Sequence, residues 1–171
     1  MVIGPAPKLE AITSADIIHI HRGLSHPDVI RYYAVRFMTL EATKEQMDWY
    51  AGIEQAGTGR WWSIRSDNEE FLGAIGINNI VPEHRRCELG FWLLPEHWRK
   101  GIMARALPLV IEHCFKTLGL HRIMAEVESD NQASVGVLRR AGFVHEGTLC
   151  ECEWKDGRAI SLDVFALLNE A

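Results

Sequence analysis

The sequence predicts an α+β (mixed α/β) fold: a central, mostly antiparallel, twisted sheet of about seven strands with one parallel pair, flanked by about four helices. Three observations predict it. Between positions 60 and 94 apolar residues alternate with period two in runs joined by short turns, the pattern of an antiparallel meander. A helical pattern then fills 102–118, and a strand follows at 122–128; a strand–helix–strand order places the two strands parallel. Asp156-Gly157, between two more alternating runs, is a strong hairpin signal.

The chain of 171 residues is long enough for one domain with a sizeable core. Residues 8–171 are expected to form it, with residues 1–7, which carry Pro5 and Pro7, as a tail. The 47% hydrophobic and 24% charged content is that of an ordinary globular protein, and the net charge of −5 disfavours a nucleic-acid partner. No apolar run approaches the ~18 residues of a membrane span. The N-terminus has no basic start followed by an apolar core, so no secretory signal is expected. Cys87, Cys114, Cys150 and Cys152 show no disulfide spacing and read as reduced thiols of a cytoplasmic protein. Cys150-Glu151-Cys152 has no second ligand pair beside it, so no metal is expected.

In order, a first strand is expected at 8–12, then a helix capped by Thr13 or Ser14 and carrying Ile17, Ile18, Ile20 and Leu24. Residues 28–33 suggest a second short helix. Thr43 with Gln46 three positions on is a capping-box pattern and is expected to open the next helix. Strands follow at 60–65, 71–80 and 84–94; in the last, Glu88, Gly90, Trp92 and Leu94 face opposite to Cys87, Leu89, Phe91 and Leu93. The helix at 102–118 is expected to bury Ile102, Ala106, Leu109, Val110, Cys114 and Leu118, with a kink from Pro108. Ser129-Asp130-Asn131 caps a helix closed by Gly142, and strands at 143–154 and 158–168 form the final hairpin.

One stretch organises the chain, Trp92-Leu93-Leu94-Pro95-Glu96-His97-Trp98-Arg99-Lys100-Gly101-Ile102-Met103-Ala104. A strand ends in a turn bearing two cations and a glycine, and a helix starts at once. The first N–H groups of a helix lack partners and the macrodipole adds positive potential there, so this is an anion site suited to a phosphate or diphosphate.

The residues resemble the GNAT superfamily of N-acetyltransferases over nearly the whole chain, most closely the ribosomal-protein N-terminal acetyltransferases of the RimJ/RimL type. The resemblance rests on Glu88-Leu89-Gly90-Phe91-Trp92-Leu93, Arg99-Lys100-Gly101-Ile102-Met103 and Asp130-Asn131-Gln132-Ala133-Ser134. It continues in Leu138-Arg139-Arg140-Ala141-Gly142-Phe143, Glu146-Gly147 and Asp163-Val164-Phe165-Ala166-Leu167-Leu168. Two positions depart from the superfamily loop: Trp98 stands where Gln or Arg is usual, and Met103 where a small residue is usual.

The resemblance implies acetyl-CoA as co-substrate, with the parallel strand pair at its cleft. Its diphosphate would meet the backbone of Arg99, Lys100, Gly101, Ile102, Met103 and Ala104. Its pantetheine arm would meet Leu93, Leu94 and Asn131, and Ser134 would donate to the departing thiolate. Transfer to an amine also needs a base, which a carboxylate can supply. Glu88, Glu151, Glu153 and Asp163 are candidates, with Glu153 or Glu88 expected. The resemblance further implies direct attack in a ternary complex on a protein or peptide N-terminal α-amine. The alternatives are a small amine (polyamine, amino acid or aminoglycoside) and a non-catalytic acyl-CoA-binding module. Residues 24–40 would shape acceptor choice, with Tyr32, Tyr33, Arg36 and Phe37 as candidate lining. A monomer or homodimer is expected.

Overall fold

The alternating runs become strands close to where the alternation puts them. In the computed structural model, which describes residues 6–170, these are β1 (Lys8–Ala11), β2 (Arg60–Arg65), β3 (Phe71–Val81), β4 (Arg86–Leu93), β5 (Arg122–Glu128), β6 (Val144–Lys155) and β7 (Arg158–Leu168). Among the described residues they form one seven-stranded sheet in the order β1-β2-β3-β4-β5-β7-β6. Only β4 and β5 pair in parallel; the other neighbours are antiparallel. The hairpin closes with Lys155 opposite Arg158, and both Asp156 and Gly157 have positive φ, as a two-residue primed turn requires. Of the expected tail, residues 1–5 lie outside the described residues.

Five α-helices cover the sheet: α1 (Ile17–Leu24), α2 (Pro27–Ile30), α3 (Leu40–Gln55), α4 (Ile102–Glu112) and α5 (Gln132–Arg140). The two sides of β4 face two cores. Cys87 and Leu89 pack with Ile75, Ile123 and Phe165 against Ile102, Ala106, Leu107 and Leu138 of α4 and α5. Trp92 packs with Trp61, Phe71 and Ala74 against Ile20, Leu24, Val29 and Tyr50 on the α1–α3 side. Each fully buried Ile or Phe is worth about 1.5–3 kcal/mol. A one-residue slip of β4 would drive Glu88 into the α4–α5 core, so the register is strongly specified. Trp61 lies across β3 and β4 opposite Gly76, which pairs in turn with Gly90. A Cβ at Gly76 would fall inside the indole, and one at Gly90 would stand 2.8 Å from its outer edge. The glycines are the space that the ring occupies.

Three local expectations are corrected. α3 begins at Leu40, one turn before Thr43, because Thr39 is the cap: its hydroxyl accepts from the Ala42 N–H at 3.1 Å. Thr43 is instead buried inside the helix, with its hydroxyl donating to the Thr39 carbonyl and meeting His21 Nδ1, both at 2.9 Å. The second short helix is Pro27–Ile30, capped by the His26 ring, and residues 31–38 are irregular. Over 102–118, Met103 and Leu107 are buried, whereas Leu109 in α4 and Leu118 beyond it are exposed. Leu109 lies about 100° round the helix from Val110, off the buried stripe. Leu118 lies beyond a π turn at His113–Thr117, whose extra residue per turn breaks extrapolation with a 3.6 period. α4 runs through Pro108 without interruption.

All four cysteines are free, and Cys87 and Cys114 face each other in the core with Sγ atoms 3.9 Å apart. Among the described residues no helix is long and apolar enough to cross a membrane.

Candidate active site

The site begins where the sheet opens. β4 and β5 pair over Arg86↔Arg122, Cys87↔Ile123 and Glu88↔Met124, and there the pairing stops, while β5 stays paired with β7 as far as Glu128↔Leu162. The Leu94 N–H bonds the Leu72 carbonyl at 2.9 Å, so the alternation of an antiparallel ladder turns the backbone groups of Leu89, Phe91 and Leu93 away from β3. They face a cleft of about 540 Å³, bounded by residues 89–93 of β4, 125–127 of β5, the starts of α4 and α5, and residues 28–33.

The loop leading into α4 offers donors to this cleft. It contains two left-handed residues, Arg99 at φ 59° and Gly101 at φ 68°. Gly101 is the N-cap of α4 and supplies no capping side chain. The first-turn N–H groups therefore remain available to an anion. Arg99, Gly101, Ile102, Met103 and Ala104 all line the cleft. Lys100 is exposed and does not line it; its carbonyl accepts from Arg105 Nη1 at 3.2 Å. Leu93 lines the cleft, but Leu94 does not: its side chain lies in the α1–α3 core and its N–H is committed to β3.

Trp98, the departure from the superfamily pattern, has a defined place. Its indole N–H donates to the Leu93 carbonyl at 2.9 Å, fastening the loop to the end of β4. No spacing rule shows this bond, because the ring bridges a turn whose shape the sequence does not declare. Opposite the loop, Asn131 caps α5 by accepting from the Ser134 N–H at 3.2 Å, and both residues line the cleft.

The candidate carboxylates separate into two groups. Glu88 is half-buried on β4 and accepts from Asn79 Nδ2 at 2.9 Å. Glu153, exposed on β6 opposite Ile160, lies near enough to act on the same neighbourhood. Between them stands Glu126 on β5, which lines the cleft. Although the residue is exposed, loss of solvent around its carboxyl within the cleft, with the charges of Glu88 and Glu153, holds it above the usual carboxylate range. Glu126 is not among the carboxylates expected from the sequence. Its signal was available: a carboxylate in mid-strand, two residues beyond the last parallel pair, on the same sheet side as Glu88. The other group lies elsewhere. Glu151, at φ 47°, sits in a bulge between Leu149 and Glu153 with its N–H on Ser161 Oγ at 2.9 Å. Asp163 accepts from Thr148 at 2.6 Å and Ser129 at 3.1 Å and stands 3.3 Å from His145. The Thr148 hydrogen bond first, then those from Ser129 and His145, hold its carboxyl below the usual range. None of the four expected carboxylates lines the cleft itself; Glu88 and Glu153 reach it only through their charges on Glu126.

On the α1–α3 side the cleft is walled by Asp28 and Val29 of α2 and by Arg31, Tyr32 and Tyr33 beyond it. Burial pushes the Tyr33 phenol well above its ordinary value, so it stays a neutral hydroxyl.

A strand pair that splays beside an uncapped helix start leaves a cleft with unpaired N–H groups at one end, ready for an anion. Residues 8–144 match the family described as an acetyltransferase (GNAT) domain. The chain is 34% identical to the uncharacterized N-acetyltransferase YoaA of Bacillus subtilis (strain 168), over 94% of this chain and 92% of that protein. It is 29% identical to the ribosomal-protein-serine acetyltransferase of Escherichia coli (strain K12), over 77% of this chain and 73% of that protein. The fold superposes on a spermidine N-acetyltransferase from Vibrio cholerae, crystallised with CoA and spermine, with a TM-score of 0.86 at 23% identity, covering 95% of each chain. The chain belongs to the GNAT acetyltransferases and is an acetyl-CoA-dependent N-acetyltransferase.

Proposed function

We propose that this enzyme, with residues 8–171 acting as one catalytic domain of the RimJ/RimL type, acetylates the α-amine at the N-terminus of a polypeptide by direct attack in a ternary complex. One observation carries the reading. Where β4 and β5 part, each leaves a backbone edge facing the other across the cleft. The β4 edge suits the amide-bearing arm of CoA, and the β5 edge suits an extended peptide, which pairs by strand addition. A small amine has no backbone to offer there.

The orphan N–H groups at the α4 start and the left-handed glycine before them fit a diphosphate. When bound, acetyl-CoA supplies an activated acetyl thioester. Arg99 and the N–H groups of Ile102, Met103 and Ala104 hold the diphosphate. Phe91 and the Leu93 N–H, with Asn131, align the arm, and Ser134 donates to the sulfur. Glu126 takes the proton from the attacking amine, while Glu88 and Glu153 keep its carboxylate basic and hold the incoming ammonium. An α-amine, with an ordinary pKa near 7.7–8.0, needs only modest help to lose that proton, whereas a lysine near 10.4 needs more.

The second reading is a polyamine acceptor. The Glu88–Glu126–Glu153 group and Asp28 favour it, as does the likeness to a spermidine acetyltransferase. CoA release with three acceptors separates the readings: a serine-initiated peptide, the same peptide N-blocked with an internal lysine, and spermidine. The peptide with the free terminus is expected to give the highest kcat/KM. A higher value with spermidine replaces the acceptor assignment, and no turnover with any amine, alongside tight acetyl-CoA binding, makes the chain a binding module.

A further inference from the structure

We propose that Lys155 is a positioning residue for the acceptor: its ammonium clasps the irregular wall of the acceptor side to the sheet. The proposal rests on the acetyl-transfer reading above. Lys155 is the last residue of β6, and its ammonium lies between the Glu128 carboxylate and the Arg31 carbonyl, the latter at 2.7 Å. Glu128 ends β5 and is only 7% exposed; Lys155 is 18% exposed. Arg31 opens the irregular stretch after α2, and Arg31, Tyr32 and Tyr33 line the cleft. One half-buried cation thus joins the strand that carries Glu126 to the segment that walls the acceptor.

The wall's other ties are the packing of Tyr33 and Phe37 against the α1–α3 core, the Arg31 N–H bond to the Pro27 carbonyl at 3.1 Å, and two further backbone bonds. Within it, the Tyr33 N–H bonds Ile30 at 3.2 Å and the Phe37 N–H bonds Leu24 at 2.9 Å. The neighbouring hairpin residue Asp156 pairs with Arg36 at 2.9 Å, but both side chains are more than half exposed. Such pairs contribute little. A carboxylate as buried as Glu128 must instead be compensated, and a flexible lysine provides several donors from one point charge. Two of them are used here, one on charge and one on backbone. The clasp lies on the α1–α3 side of the sheet, away from the α4 loop. Breaking it should change acceptor binding and leave acetyl-CoA binding alone.

Lys155→Met alone leaves Glu128 buried without its partner and is expected to destabilise the fold. The test therefore uses the double variant Lys155→Met/Glu128→Gln, which removes both charges, with Asp156→Asn, which removes the charge and keeps a residue suited to the left-handed turn position, as control. Three quantities are read: acetyl-CoA Kd by calorimetry, kcat and KM for the acceptor, and hydrogen exchange of amides in residues 31–37. The double variant is expected to keep acetyl-CoA Kd within about twofold and kcat nearly intact, to raise acceptor KM about tenfold, and to speed exchange at Tyr33 and Phe37 about tenfold or more. Asp156→Asn should change each by less than about twofold. Unchanged KM and unchanged exchange in the folded double variant overturn the clasp. If the wild type acetylates no amine, the acetyl-transfer reading fails by itself, and exchange alone then decides whether Lys155 holds the segment.

Discussion

Replacing Gly101 with valine is expected to weaken acetyl-CoA binding by more than about a hundredfold, and Gly101→Ala by about tenfold, whereas Lys100→Ala changes it by less than about fivefold. The order follows from backbone geometry. Gly101 sits at φ 68°, where a Cβ costs roughly 1–2 kcal/mol, and a β-branched residue more. The new Cβ would stand 3.3 Å from Arg105 Nη1, the far end of a flexible side chain, so collision is the smaller part of the penalty. The larger part is relaxation of the turn, which tilts the N–H groups of Ile102 to Ala104 away from the anion. Lys100 is exposed and outside the cleft lining, so its charge acts through solvent. Calorimetric titration of the three variants, with thermal unfolding to confirm that each is folded, checks the order. A larger loss from Lys100→Ala than from Gly101→Ala would mean that charge, not the turn, carries recognition.

Glu126→Gln is expected to lower kcat/KM by about 10²–10⁴-fold and to remove the acid limb of the pH–rate profile. In the wild type that limb should lie above the ordinary carboxylate value of 4.5, because loss of solvent around its carboxyl, then Glu88 and Glu153, disfavour the charged form of Glu126. The neighbours predict a sign. Glu88→Gln or Glu153→Gln removes a like charge, lowers the Glu126 pKa and moves the acid limb to lower pH without abolishing it. Loss of the limb in either neighbour, with an unchanged profile in Glu126→Gln, would transfer the base to that neighbour.

The residues that declared themselves in the sequence did so through local rules. Strand alternation on β2 to β4, the Asp156-Gly157 turn and the Asn131 cap depend on neighbours within a few positions, and the structure follows them. The parallel placement of β4 and β5 follows from the crossover helix between them. What stayed hidden depends on distant chain. Thr43 carried the capping-box pattern, yet Thr39 is the cap, and Thr43 lies inside the helix packed against His21 of α1. Glu126 gains its character from carboxylates 38 residues before it and 27 after it, a proximity set by sheet order. The Trp98 bond to Leu93 and the Lys155 contact with Arg31 are fixed by how a turn and a hairpin fall in space. Leu118 misled for a different reason, since a π turn reset the helical frame before it.

The central claim is that acetyl-CoA and the amine meet across the open β4–β5 cleft, with no acyl-enzyme between them. Initial rates with both substrates varied test it most directly. Intersecting double-reciprocal lines are the predicted result; parallel lines, with acetyl-enzyme trapped in the absence of amine, would contradict it.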